Sequence, residues 1–296
     1  MNQCGGSMTQ IHNVIIPLDG SEDAEITLPY GIEFAKMSNA KIHFVSVDES
    51  GSADTVNLYQ SYQALLETRL KEKYPELTGS WQIHLLKGKA IEELTGFIES
   101  PDAAMLVISA HGASGLGASQ VGKTANKLLN TTDKPVLLIK SPAMEQKPLI
   151  QRILVPLDGS GVGQAAIDLL SVIAPVFRAE VVLIQVVEPV RYMPSIDGLG
   201  AYTMPINDNE IEQEATSFLE RRAEELRNQG LSVSTVVKTG AATELILNFT
   251  VENNIDLIAM STHGLSGLSR WVFGSVTEKI IQYSTTPVLV VHPSDD

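Results

Sequence analysis

Residues 117 to 124 read GASQVGKT and satisfy the pattern G-x-x-x-x-G-K-[ST] at Gly117, Gly122, Lys123 and Thr124. In a phosphate loop of that kind, backbone N–H groups cradle phosphates, the lysine neutralises them and the hydroxyl holds magnesium. The context weighs against such a loop. It should leave its strand almost directly, yet HGASGL follows the strand-like VIS of 107 to 109. The chain also repeats itself, and of the four fixed residues only Gly122 recurs in the second copy, as Gly274. What survives is a glycine that opens a helix able to hold phosphate, with Lys123 beside it.

Other reactive residue types give less. His111 and His263 each precede a glycine, but a general base needs a positioned partner, and a role in stabilising a turn or packing on a ligand is expected instead. Ser114 and Ser266 lack the setting of a nucleophile elbow. No HExxH, calcium-loop or paired-cysteine spacing occurs, so no catalytic residue and no protein metal site are assigned.

The repeat governs everything else. VIIPLDGSEDA at 14 to 24 returns as ILVPLDGSGVG at 153 to 163, and SAHGASGLGASQVGKTANKLL at 109 to 129 returns as STHGLSGLSRWVFGSVTEKII at 261 to 281. Asp158 follows Asp19 by 139 positions, whereas Gly274 follows Gly122 by 152. The 13 extra residues fit the stretch 188 to 210, rich in Gly, Pro and Asn, which reads as a longer surface loop. Tyr192, Met193, Tyr202 and Met204 within it suit a lid or a partner-binding loop equally. The expected organisation is domain 1 at 9–141, domain 2 at 149–296, a linker at 142–148 and a disordered tail at 1–8.

Within each copy, short apolar β-branched runs alternate with helical patterns. RILVPLD, EVVLIQVV, LSVSTVV, IDLIAMS and PVLVVH suit strands buried on both faces, and IEQEATSFLERRAEELRNQG suits an amphipathic helix stopped by glycine. The expected fold is α/β: two similar doubly wound, five-stranded, mostly parallel sheets. Ligands of such sheets sit beyond the carboxyl ends of the strands, where the strand order reverses. That selects Pro17-Leu18-Asp19 and Pro156-Leu157-Asp158 after strand one, and the His-Gly-x-Ser-Gly-Leu loops after strand four. Asp or Ser in Pro-Leu-Asp-Gly-Ser (Asp19 and Ser21, Asp158 and Ser160) also suits helix capping, so capping and ligand contact both stay open for the aspartates.

Composition bounds the partners. The 296 residues carry a formal net charge of −14, which repels a nucleic-acid backbone, and a single cysteine, Cys4, which rules out a disulfide framework. With neither an apolar leader nor a membrane-length apolar run, a cytoplasmic protein with no membrane partner is expected.

Taken together, the strand-one, strand-four and PVLVV signatures resemble the universal stress protein family, whose nucleotide-binding members show G-x2-G-x9-G-[ST] after strand four. Residues 261 to 276 depart from it at Ser261, and residues 109 to 124 at Ser109 and again at Lys123. The resemblance implies a Rossmann-like fold and an ATP ligand, with or without Mg2+, hydrolysed slowly at most. Base and ribose would lie by Pro156, Leu157, Asp158, Val186 and Met260, and phosphates by His263, Gly264, Gly274, Ser275 and Val276. A weaker second site would comprise Pro17, Leu18, Asp19, Val47, Ile108, His111, Gly112, Gly122, Lys123 and Thr124. The last strands would join the halves as a pseudo-dimer, with a further homodimer open. Because Lys123 faces Ser275 in the alignment and Arg270 faces Ala118, each loop retains one cation at a different place, and the second copy is expected to be the better ATP site. The alternatives are a nucleotide-free interaction or scaffold protein of the same fold and an ATP-dependent phosphotransferase.

Overall fold

The computed structural model describes residues 11–100, 104–111, 121–140, 149–160, 163–188, 208–262 and 273–292. The expected tail and linker lie outside them, as do residues 189–207 of the expected long loop, whose last three residues, 208–210, instead begin a helix. The first half runs β1 (Asn13–Pro17), α1 (Glu22–Glu25), α2 (Leu28–Ser38), β2 (Lys41–Asp48), α3 (Ala53–Lys73), β3 (Trp81–Lys87), α4 (Ala90–Glu99), β4 (Ala104–Ser109), α5 (Lys123–Thr131) and β5 (Val136–Ile139). The second runs β6 (Arg152–Leu157), α6 (Gln164–Phe177), β7 (Glu180–Val187), α7 (Asp208–Asn228), β8 (Ser232–Thr239), α8 (Ala242–Glu252), β9 (Leu257–Ser261), α9 (Ser275–Tyr283) and β10 (Val288–Val291).

Alternation along the strands explains the layers. Val14 and Ile16 point into one core with Phe34 of α2 and Leu66 and Leu70 of α3, while Ile15 between them joins Leu94 and Ile98 of α4 and Leu128 of α5 on the other face. All are nearly inaccessible, and each buried aliphatic side chain contributes about 1.5–3 kcal/mol, so a strand with apolar residues at every position needs helices on both faces. The second half repeats the arrangement with Ile153 and Val155 on one side and Leu154 on the other.

Each half is a parallel sheet in the order 3-2-1-4-5, with the reversal between β1 and β4 and between β6 and β9. The halves do not stay separate sheets. β5 pairs antiparallel with β10, Leu137 opposite Leu289, giving one ten-stranded sheet. On one face α2 meets α6, where the Phe34 and Phe177 rings pack edge-on at 5.1 Å. Such a pair adds about 0.5–1.5 kcal/mol beyond its buried area. At the end of β5, the Lys140 ammonium donates to the Gln282 carbonyl in the last turn of α9, the negative end of that helix.

One polar cluster breaks the repeat. His43 of β2 and His84 of β3 approach to 3.1 Å between Nδ1 and Nε2, with the Phe97 ring of α4 against both. His43 Nε2 lies 3.0 Å from the Asn13 side-chain oxygen. Since that oxygen only accepts, His43 carries its proton on Nε2 and its Nδ1 accepts from His84 Nε2–H. The strand registers place Val182 and Val236 at the equivalent positions of the second half. Both imidazoles sit below the ordinary value of 6.5, each through burial and His43 further through the neighbouring His84 and Lys41 charges. The unfolded chain therefore takes up protons first: the contribution is intact above about pH 6.5 and is lost as pH falls below it. In urea unfolding between pH 7 and pH 5, wild type is expected to lose stability more steeply than the His43→Val/His84→Val double variant. Equal slopes would show that the pair does not couple folding to pH.

Candidate functional site

The two strand-order reversals each open a cavity at the carboxyl ends of the strands. In the first half it holds about 680 Å3, and β1, β2 and β4 supply its floor through Pro17, Leu18, Val47 and Ile108. Asp19 and His111 stand at its strand ends, and Gly122, Lys123 and Thr124 bring the start of α5 to it. The second-half cavity holds about 290 Å3 and gathers Pro156, Leu157, Asp158, Val186 and Met260 from the strands with Gly274, Ser275 and Val276 at the start of α9. Every expected site residue among the described ones thus falls in one of two equivalent clusters. Gly112, His263 and Gly264, like Arg270 and Gly117, lie outside the described residues.

The helix starts are the best anion-binding elements of these clusters. Gly122 N–H donates to the Ala110 carbonyl at 2.7 Å, and the first bond of α5 runs from Asn126 N–H to the Gly122 carbonyl. Lys123, Thr124 and Ala125 therefore present N–H groups with no acceptor inside the helix, at its positive end. Gly274 repeats this, donating to the Thr262 carbonyl at 3.0 Å and accepting from Glu278 N–H. Neither glycine caps its helix with a side chain. A β-carbon on Gly122 would stand 3.3 Å from the Ala110 oxygen, so a side chain there needs the helix start to give by a few tenths of an ångström.

The aspartates order the opposite wall. Asp19 Oδ1 accepts from Ser21 N–H at 3.0 Å and from the Ser21 hydroxyl at 2.6 Å, and it is Ser21 that caps α1, accepting from Ala24 N–H. Asp158 Oδ1 accepts likewise from the Ser160 N–H and hydroxyl. The intervening Gly20 and Gly159 have φ of +85° and +81°, a conformation that side chains disfavour. In the first half the capping atom is thus the Ser21 hydroxyl. In the strand-four turn, the Ser109 hydroxyl accepts from His111 N–H at 3.2 Å, so serine at the family's first glycine position tightens the turn. His111 Nε2 is buried with no hydrogen-bond partner among the described residues.

Residues not singled out from the sequence surround or line these clusters. Glu49, just after β2, accepts from Ala90 N–H at the start of α4 at 2.7 Å, and Glu188 does the same for Ala242 of α8 at 3.2 Å. Each lies 41 or more residues from its partner in sequence, so the only available signal was that both copies place Glu at this point. Thr55 and Tyr59 of α3 line the first cavity. Burial raises the Tyr59 phenol above its ordinary range, and the Asp19, Asp48 and Glu49 carboxylates raise it further, so it stays neutral.

Comparison with known proteins shows the family. The model of the universal stress protein family matches residues 10–140 and again 149–292. The chain belongs to the universal stress protein family. A universal stress protein of Bacillus subtilis is 31% identical over 147 residues, covering 48% of this chain and 99% of that protein. One from Mycobacterium bovis is 24% identical over 314 residues, covering 96% of this chain and 98% of its own. The crystal structure of a universal stress protein from Archaeoglobus fulgidus superposes with a TM-score of 0.68 at 21% identity, over 95% of this chain and 98% of that one, and so shares the tandem fold.

The two glutamates act as caps borrowed from a neighbouring strand. Glu49→Ala is expected to cost about 1 kcal/mol in urea unfolding and to speed hydrogen exchange at the Ala90 amide. Unchanged stability together with unchanged exchange would remove the capping role.

Proposed function

We propose that this universal stress protein is a cytoplasmic regulatory module that binds ATP or a related adenine nucleotide at the strand-order reversals. The observation that carries this reading is the pairing, in both halves, of an apolar cavity with a helix start offering three N–H groups to an anion. Lys123 adds a positive charge to the first of these sites, and the Asp19 and Asp158 turns lie where ribose and base would rest. Magnesium would travel with the phosphates; among the described residues no three His, Cys, Asp or Glu side chains converge on a metal position. Among those residues, also, no helix is long and apolar enough to cross a membrane. Nucleotide occupancy would bias assembly or partner contacts, with hydrolysis slow at most. The antiparallel β5–β10 pairing supports reading the halves as a pseudo-dimer.

Two observations rank the sites in opposite ways. The second half keeps the fuller family motif, which favours it for ATP. The first-half cavity is the larger, at about 680 against 290 Å3, while the second sits at the lower end of the roughly 300–1,000 Å3 of most ligand pockets.

Calorimetric titration of the intact protein with ATP is expected to give saturable heat, and Gly122→Val and Gly274→Val each to remove one site. The variant with the larger loss identifies the tighter half. Absence of heat, of a thermal shift and of co-purified nucleotide would favour the interaction-protein reading instead.

A further inference from the structure

The first-half cavity owes a wall to α3 that no described residue of α7 supplies to the second. Thr55 and Tyr59 stand one helical turn apart, so they share the face of α3 turned to the cavity. The start of that helix is held hard. Asp48 Oδ1 accepts from Ser50 N–H, the Ser50 hydroxyl and Gly51 N–H in the preceding turn, and Ser52 caps the helix by accepting from Thr55 N–H.

The next turns are pinned as firmly. Glu25 of α1 accepts from both guanidinium ends of Arg69, at 2.6 and 3.1 Å, and from the Tyr62 hydroxyl at 2.9 Å. Gln63 donates to the His84 carbonyl on the free edge of β3. In the repeat, Gln164 stands in place of Glu25 and bonds Asp168 of its own helix, so the same clamp does not recur there. Tyr59 is therefore a half-buried aromatic ring, held at the cavity wall from two sides, in the half whose cavity is large.

Resting on the nucleotide reading above, we propose that Tyr59 is a base-stacking residue specific to the first-half site, its ring packing on the heteroaromatic base of a nucleotide whose phosphates lie on the start of α5. An aromatic ring presents a π-face to any base and gains little from a ring-free polyphosphate, which the N–H groups and Lys123 would hold alone. The neutral phenol beside Asp19 and Glu49 adds no repulsion.

The test is calorimetry on the full chain in a Gly274→Val background, which leaves the first-half site, with ATP and with inorganic tripolyphosphate as separate titrants. Tyr59→Ala is expected to weaken ATP about tenfold and to leave tripolyphosphate unchanged, while the conservative Tyr59→Phe retains ATP affinity within about twofold. Equal weakening of both titrants would make Tyr59 a structural support only, and unchanged ATP binding in Tyr59→Ala would remove it from the site; either overturns the proposal. Failure of the parent to bind ATP in the Gly274→Val background, with binding intact in wild type, would place nucleotide in the second half and overturn it too. No binding by wild type would instead be the failure of the nucleotide reading itself.

Discussion

The hydrogen bond from Gly122 N–H to the carbonyl of Ala110, repeated between Gly274 and Thr262, is the constraint around which each half is organised. It ties the first residue of a helix to the end of the strand beside the order reversal. Ala110 N–H in turn donates to the Ile139 carbonyl at 2.7 Å, and Thr262 N–H to Val291, so the same turn is locked onto the last strand. With that last strand paired across to the other half, the positions of both helix starts are set by the continuous sheet. At Gly122 a β-carbon would stand 3.3 Å from the strand carbonyl, tight enough that the helix start must give by a few tenths of an ångström, and the next three N–H groups have no acceptor inside the helix.

Much of the fold was legible because both its signals are local. Buried parallel strands need apolar residues on both faces, and runs such as VVLIQVV and LIAMS show that without any partner being known. The repeat doubled each observation. β6 to β10 and α7 accordingly fall where these patterns put them. The cavity residues were legible for a related reason: strand-order reversal fixes which loops converge, and Asp19, Gly122 and their counterparts sit in those loops.

What escaped the sequence depends on contacts between distant elements. Glu49 acts on a helix 41 residues away, and His43 meets His84 only through the β2–β3 register. Tyr59 carried no pattern of its own; Leu58 beside it is the more hydrophobic residue, yet it is 69% exposed while the tyrosine turns to the cavity. The aspartates were half understood. The turn suggested a cap by Asp or Ser, and in the first half it is the Ser21 hydroxyl that caps while Asp19 holds that serine in place. The divergence between copies follows the same division. The sheet and the glycine anchors are kept, while the α3 clamp, the histidine pair and the cavity volume distinguish the first half.

The central claim is that the two anchored helix starts receive the phosphates of a nucleotide. Backbone amide NMR of the full chain during ATP addition tests it most directly. The account expects the largest saturable shifts at the amides of Lys123 to Ala125, of Ser275 to Thr277, or of both sets. Shifts confined to other surfaces, or none at millimolar ATP, would contradict it.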